Sequence, residues 1–447
     1  MKKILTLLLV LTGALFLVSC KKDKVGTDGE TIDFSDSYSK KSVIRVWIDD
    51  EQGDYMKEVI KEFNKVYPNI IVEHQHKGSV DSREHLKTFG PSGNGADVFQ
   101  FPHDHLAQAV LEDLVLPLPD ATATKIKERS HELGTSIATL KYDETTGSFD
   151  PNNPDATERL YAVPMSLESV GLYYNKDLVA TPATTYEELL AAGKIWNAQP
   201  SKDNDQQTNA QAGLFYLATS SHWADSYFMQ QYYSAFDWTP FGKDLNDPSE
   251  VGFAKLTSAV TWIRDELKPV VTGNSAHDSI SGGTNFENGK IPYIIAGPWN
   301  VEAYKKAGLN FGVVKLPTIN GKETKTFAGA MMAAVYKYSK NQADAIKFVE
   351  FLNSDVAMEI QYRLKSKLPA LKTDLLANID GVLADTELMA MSNQLKSSVP
   401  MPTIPQVTYY WGPGEAMLKE VWNNAKPIAE ALTEAEASYK TNLGLAS

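Results

Sequence analysis

Cysteine is almost absent: the 447-residue chain has one, Cys20. No internal disulfide can form, so the folded body must be held together by its core. Positive charge is outweighed as well. Against 43 Lys and Arg stand 56 Asp and Glu, a formal net charge of −13. A nucleic-acid binder would carry a basic stripe, and that class is set aside. The patterns G-x-S-x-G and H-E-x-x-H and the Walker loop are missing, and with them the common signatures of serine hydrolases, zinc proteases and P-loop enzymes. Internal repeats are missing too. A glycoside hydrolase stays open, because its two opposed carboxylates leave no sequence signature.

The chain that remains is 43% hydrophobic and 22% charged, the composition of a soluble globular protein. Its length exceeds one ordinary core and predicts two or three domains. At the N-terminus, Lys2 and Lys3 precede an apolar run from Ile4 to Val18. That run is short for a membrane span and suits an export signal. Its end, Leu17-Val18-Ser19-Cys20, resembles a bacterial lipobox. Residues 1–19 are therefore expected to be a signal peptide and Cys20 the lipidated first residue. The other reading is a chance cysteine after an ordinary signal. Residues 20–41 are polar, with only scattered apolar side chains. They cannot bury enough surface to offset ordering and are expected to form a flexible tether.

Folding is expected to begin at Val43–Ile48. Met56, Val59, Ile60, Phe63 and Val66-Tyr67 then recur at helical spacing before Pro68 ends the run. Ile70–His76 and Ala96–Phe101 read as further strands, and His103–Leu114 as a helix. This alternation predicts a largely parallel sheet covered on both faces. Tyr142–Leu160 reads as an exposed hairpin, and Thr185 with Glu188 as a capping box opening a helix. Tyr293–Ala296 is a buried strand; Gly297-Pro298 then turns into a helix opening on Trp299.

Several segments carry a resemblance in their order: "GADVFQFPHDHLAQAVLEDLVLPL", "YAVPMSLESVGLYYNKDLV", "FENGKIPYIIAGPWNVEAY", "FGVVKLPTINGKETKTFAGAMMAAVY" and "PMPTIPQVTYYW". From Val43 to the C-terminus the chain resembles the extracellular solute-binding proteins of ABC sugar importers, most closely the maltose/maltodextrin-binding proteins. "GPWNVEAY" with "MPTIPQVTYYW" points to the maltodextrin branch. The resemblance implies an α/β, two-lobe periplasmic-binding-protein-like fold with a hinge and an interlobe ligand cleft. The first lobe would hold 42–167 and 333–380, the second 171–327 and 385–447. It further implies an oligosaccharide ligand, permease subunits of an ABC importer as partners, no cofactor, no catalysis and a monomer. The protein would sit outside the cytoplasm of a bacterium, anchored to the membrane through Cys20.

An oligosaccharide offers hydroxyls, which pair best with charged groups, and C–H faces, which stack on aromatic rings. The matched positions mix the two. Glu51 stands at a family aspartate, or is a solvated loop acid. Gln52 replaces a frequent lysine. Phe101 stands at a stacking tryptophan, or is a core strand residue. Asp104 matches a hydroxyl-binding aspartate, or caps the next helix, and His105 replaces an arginine. Glu168, alone among Met, Leu and Val, is costly to bury unpaired and matches a hinge-side glutamate. Trp299 matches the main stacking tryptophan, with core packing as its rival reading. Trp411, preceded by Tyr409 and Tyr410, matches a second stacking position, and Gly412-Pro413-Gly414 beside it reads as a surface turn. Trp223 lies near a family aromatic segment. Glu415 stands where arginine is common. The competing metal reading rests on the pairs His74/His76 and His103/His105, the second beside Asp104. No third element completes a tetrahedral set, so the sequence predicts no metal site.

Overall fold

The structure is a computed structural model that describes residues 41–149, 153–271 and 280–445. The signal segment, Cys20 and all but the last residue of the tether lie outside the described residues. Eleven strands form the two principal sheets. They are β1 (Ser42–Ile48), β2 (Ile70–His76), β3 (Val98–Pro102), β4 (Val163–Glu168), β5 (Gly171–Asn175), β6 (Leu217–Thr219), β7 (Tyr293–Ala296), β8 (Phe311–Val314), β9 (Phe327–Val335), β10 (Leu368–Pro369) and β11 (Val399–Pro400). Among the described residues no helix is long and apolar enough to cross a membrane.

The first sheet has the order β10-β4-β9-β3-β1-β2, with β11 also on β9. The second has the order β6-β7-β5-β8. β1 is parallel to both β2 and β3. However, β9 runs antiparallel to β3 and to β4, and β5 antiparallel to β7 and β8. The expectation of a largely parallel sheet is thus corrected to two mixed sheets. The reason is chain path: β9 arrives from the second sheet and enters the first against the direction of β3.

Each sheet has its own core. Ile44, Val46 and Ile48 of β1 pack with Met56, Val59 and Phe63 of the helix Asp54–Val66. These three helical residues share one face at the spacing read from the sequence. The helix stops before Pro68, as proline's missing N–H requires. Ala330, Met332–Val335 and residues from Leu368 to Leu388 join this first core. Val170, Leu172, Tyr293, Ile295, Phe327 and Trp422 belong to the second. Gly171–Asn175 therefore leaves one core for the other within a few residues of Glu168, and β9 enters the second core at Phe327 and the first at Ala330.

Two of the crossings between the lobes meet at their hydroxyls, and a third hydroxyl, from the segment after the helix Thr386–Leu395, joins them. Ser169, between β4 and β5, hydrogen-bonds Thr326 at the start of β9 and lies 3.4 Å from Ser398 before β11. Thr326 and Ser398 are 2.9 Å apart. Ser169 and Thr326 have no exposed surface. Buried hydroxyls need partners, and here the partners are one another, which fixes where the chain bends between lobes.

The strands Thr139–Tyr142 and Thr157–Leu160 form the antiparallel hairpin expected around 142–160. Half of the expected capping box is present: Thr185 Oγ1 accepts the Glu188 N–H at 3.1 Å, while the Glu188 carboxylate accepts from the N–H of Thr184, one residue before the cap, at 3.3 Å.

Candidate functional site

Two adjoining cavities, of about 600 Å³ and about 310 Å³, lie between the lobes. Both are lined by Asp49, Ser79, Trp299, Met331 and Lys367. They form one cleft at the carboxyl ends of β1, β3, β4 and β7, where ligands of open α/β sheets collect.

From the first lobe, the chain leaves β1 as Asp49-Asp50-Glu51-Gln52, and Gly53 turns it at φ 75° into the next helix. Asp50 points inward and is 1% exposed. Its carboxylate accepts the Met56 N–H at 2.9 Å and lies 2.9 Å from Lys365 Nζ. Burial pushes its pKa up, but the Met56 N–H and the Lys365 ammonium outweigh this and hold it below the ordinary value. Asp49 faces both cavities, and its Oδ2 accepts from Ser79 N–H and Oγ at 3.3 Å each. Glu51 and Gln52 line the smaller cavity. Asp104 and His105, in the 3-10 turn after β3, line the larger one.

Glu168 ends β4, 7% exposed, and lines the larger cavity. The buried carboxylate is not alone, because Lys367 Nζ stands 3.2 Å from its Oε1. That pairing answers the cost of burying it.

The second lobe supplies the aromatic wall. Trp299 is 39% exposed, unusual for so large an apolar ring, and lines both cavities. Its indole lies against Gly297: a Cβ there would stand 2.2 Å from the ring. Tyr227 and Phe228 hold it from the other side, with ring centroids 6.5 Å and 6.2 Å away. Trp411 is half-buried, lines the larger cavity, and meets Phe327 edge-on at 6.0 Å. Glu415, one helical turn on, faces the same cavity. It pairs with Lys419 and lies 3.8 Å from His222 Nε2.

Three aromatic expectations are corrected. Phe101 has no exposure and stacks on Phe99 at 4.9 Å, because neighbours cover both faces of β3. Trp223 is 1% exposed and stacks on Trp422 at 6.1 Å. Tyr410 has no exposure and stacks on Phe253 at 5.4 Å. All three rings are core residues. Nor is Gly412-Pro413-Gly414 a surface turn. It lies in the first turn of the helix Trp411–Asn423, where proline is tolerated. Gly414 is there because a Cβ would stand 2.4 Å from Ser226 Oγ.

Sequence reasoning missed Asp49, Lys367, Asp225, Tyr227 and Met331, all of which line the larger cavity. Asp49 was within reach, two residues from Glu51 on the same loop. Asp225 and Tyr227 follow Trp223 within one short stretch, Ser220–Phe228, whose most conspicuous side chain is the buried Trp223. Burial, with the charges of Glu168, Asp104 and Asp225, pushes the Tyr227 phenol well above its ordinary pKa, so it stays neutral. The metal pairs do not converge. His74 Nε2 meets the Ile48 carbonyl at 3.0 Å, and among the described residues no group of three His, Cys, Asp or Glu is placed to hold an ion.

In the larger cavity acids outnumber cations. Asp49, Asp104, Glu168, Asp225 and Glu415 present acceptors, with the Lys367 ammonium among them. Such a cleft favours a neutral ligand rich in hydroxyl donors and disfavours an anion. Trp299 and Trp411 add apolar faces on one wall.

The sequence profile of the bacterial extracellular solute-binding protein family matches residues 49–359. A galactooligosaccharide-binding protein of Bacillus subtilis is 28% identical over 417 residues, covering 90% of each chain. A maltooligosaccharide ABC transporter solute-binding lipoprotein of Streptococcus pneumoniae is 26% identical over 453 residues, covering 99% of this chain and 97% of that one. Among solved structures, MalX from Streptococcus pneumoniae in complex with maltopentaose superposes with a TM-score of 0.73 at 24% identity, covering 89% of this chain and all of that one.

Proposed function

The chain belongs to the bacterial extracellular solute-binding protein family, and on that premise we propose that it captures malto-oligosaccharides in the interlobe cleft and delivers them to an ABC importer. The observation that carries this reading is the pairing of Trp299 and Trp411 on one wall with a group of carboxylates facing them. Rings take the C–H faces of the sugar, and carboxylates take its hydroxyl protons. The sugar enters between the lobes, and the crossings at Ser169 and Thr326, tied to Ser398, act as the hinge on which they close. Cys20 carries the lipid that keeps the protein at the outer face of the membrane, within reach of the permease subunits. The cleft binds without catalysis, so maltotetraose incubated with the protein should yield no shorter products.

A second reading has one observation behind it: the Bacillus subtilis relative is named for galactooligosaccharides. The same carboxylates and rings would serve those sugars. A thermal-shift screen separates the two, because a ligand bound only by the native state must raise the melting temperature. Maltotriose and longer maltodextrins should give the largest shift among maltose, cellobiose, trehalose, xylo-oligosaccharides and galactooligosaccharides. A shift with galactooligosaccharides alone would transfer the assignment to the second reading. No shift with any of them would remove both.

A further inference from the structure

His103 lines the larger cavity and belongs neither to the carboxylates nor to the aromatic wall. It is 8% exposed and opens the 3-10 turn after β3. The ladder between β9 and β3 runs from Val335–Val98 to Met331–Pro102 and stops there. The backbone of Ala330, next along β9, would otherwise face an empty position. His103 Nδ1 fills it, 3.0 Å from the Ala330 nitrogen and 3.2 Å from the Ala330 oxygen. The ring lies across Gly329, where a Cβ would stand 1.9 Å from Cε1. Gly329 in turn pairs with Glu168 in the β4 ladder. His103 is therefore packed beside Glu168 and directly precedes Asp104.

One nitrogen cannot serve both Ala330 groups. It accepts from the N–H or donates to the C=O. An unmet buried N–H is rarer than an under-shared carbonyl, and the N–H contact is the shorter. Nδ1 therefore accepts. In a neutral imidazole the proton then sits on Nε2. Burial favours the neutral ring, holding its pKa below the ordinary value against the pull of Asp104, the Ala330 backbone and Glu168. Nε2 is buried and has no hydrogen-bond partner among the described residues. A buried donor without an acceptor calls for one.

We propose that His103 is a ligand-binding residue whose Nε2–H donates a hydrogen bond to a sugar oxygen held between Asp104 and Glu168. This rests on the oligosaccharide reading and deepens it. Carboxylates can only accept. A hydroxyl that gives its proton to Asp104 or Glu168 keeps lone pairs that need a donor, and His103 supplies it. Chained hydrogen bonds of this kind strengthen one another. The cleft thereby selects a hydroxyl that donates and accepts at once.

The test is long-range 1H–15N correlation NMR on 15N-histidine-labelled protein, titrated with maltotriose. The His103 signals are assigned by their loss in His103→Gln. The free protein should show a neutral ring with Nε2–H, and maltotriose should move that proton downfield and slow its exchange. In a parallel calorimetric titration, His103→Leu should weaken maltotriose binding at least tenfold, and His103→Gln, which restores an amide donor, should recover part of the loss. A free ring protonated on Nδ1 would overturn the inference. So would a saturated spectrum in which other resonances shift while Nε2 does not. The wild-type spectrum decides the matter even where the Leu variant fails to fold. If maltotriose changes no resonance at all, the sugar reading falls and this inference falls with it.

Discussion

Replacing Gly297 by alanine should weaken sugar binding although Gly297 offers no side chain to a sugar. Its backbone is extended, at φ −104° and ψ 173°, a conformation open to any residue. Strain is therefore not the issue; space is. An added Cβ would stand 2.2, 2.3 and 2.4 Å from three atoms of the Trp299 six-membered ring, far inside contact distance. The backbone is locked between β7 and the following helix, so the indole must swing away. It can do so because the ring is 39% exposed. Moving a stacking ring of this kind costs on the order of 2 kcal/mol of binding, or roughly thirtyfold in Kd at 1.4 kcal/mol per decade. Fold stability should change by less than about 1 kcal/mol, since Gly→Ala at a compatible backbone is mildly stabilising and offsets part of the displaced contact. Calorimetry with maltotriose and thermal melts of the wild type, Gly297→Ala, Trp299→Ala and the double variant complete the cycle. If the alanine acts only through the indole, it should have no further effect once the indole is gone. Wild-type affinity in Gly297→Ala would refute the reasoning, as would a loss that persists in the Trp299→Ala background.

Cys20→Ser should release the protein from membranes without altering sugar affinity; retention in the membrane fraction would remove the lipid anchor. Lys367→Met should leave Glu168 buried without its cation and lower stability by on the order of 3 kcal/mol; a melt unchanged from wild type would show that the pair contributes nothing. Asp50 gives a pH signature. Its folded pKa lies below the unfolded value of about 3.8, so the unfolded chain takes up the proton first as pH falls. The stability it contributes is complete above that value and is lost as pH drops through the lower, folded one. The advantage in melting temperature of the wild type over Asp50→Asn should therefore shrink as pH falls below about 3.8, and a constant difference would contradict the assignment.

How much of this was legible depended on what each residue's neighbours had to supply. Glu168 could be read because an acid among Met, Leu and Val is conspicuous whatever packs on it. Lys367, its partner, lies 199 positions later, and nothing local marks it. Trp299 was legible through the Gly-Pro turn and the family likeness. Phe101, Trp223 and Tyr410 share the same chemistry but are covered by Phe99, Trp422 and Phe253, and residue type alone does not say whether a ring has a lid. Glu51 and Asp49 differ by two positions in an irregular loop, where no periodicity fixes which side chain turns to the cleft. Strand positions followed from apolar runs, but strand direction did not, because the antiparallel entry of β9 depends on the long path through the second lobe.

The central claim is that an oligosaccharide lies between the lobes against Trp299 and Trp411. A crystal structure of the complex with maltotriose tests it most directly. The account predicts sugar rings stacked on Trp299 and Trp411, with hydroxyls bonded to Asp104 and Glu168. Maltotriose bound elsewhere, with the two indoles bare, would contradict it.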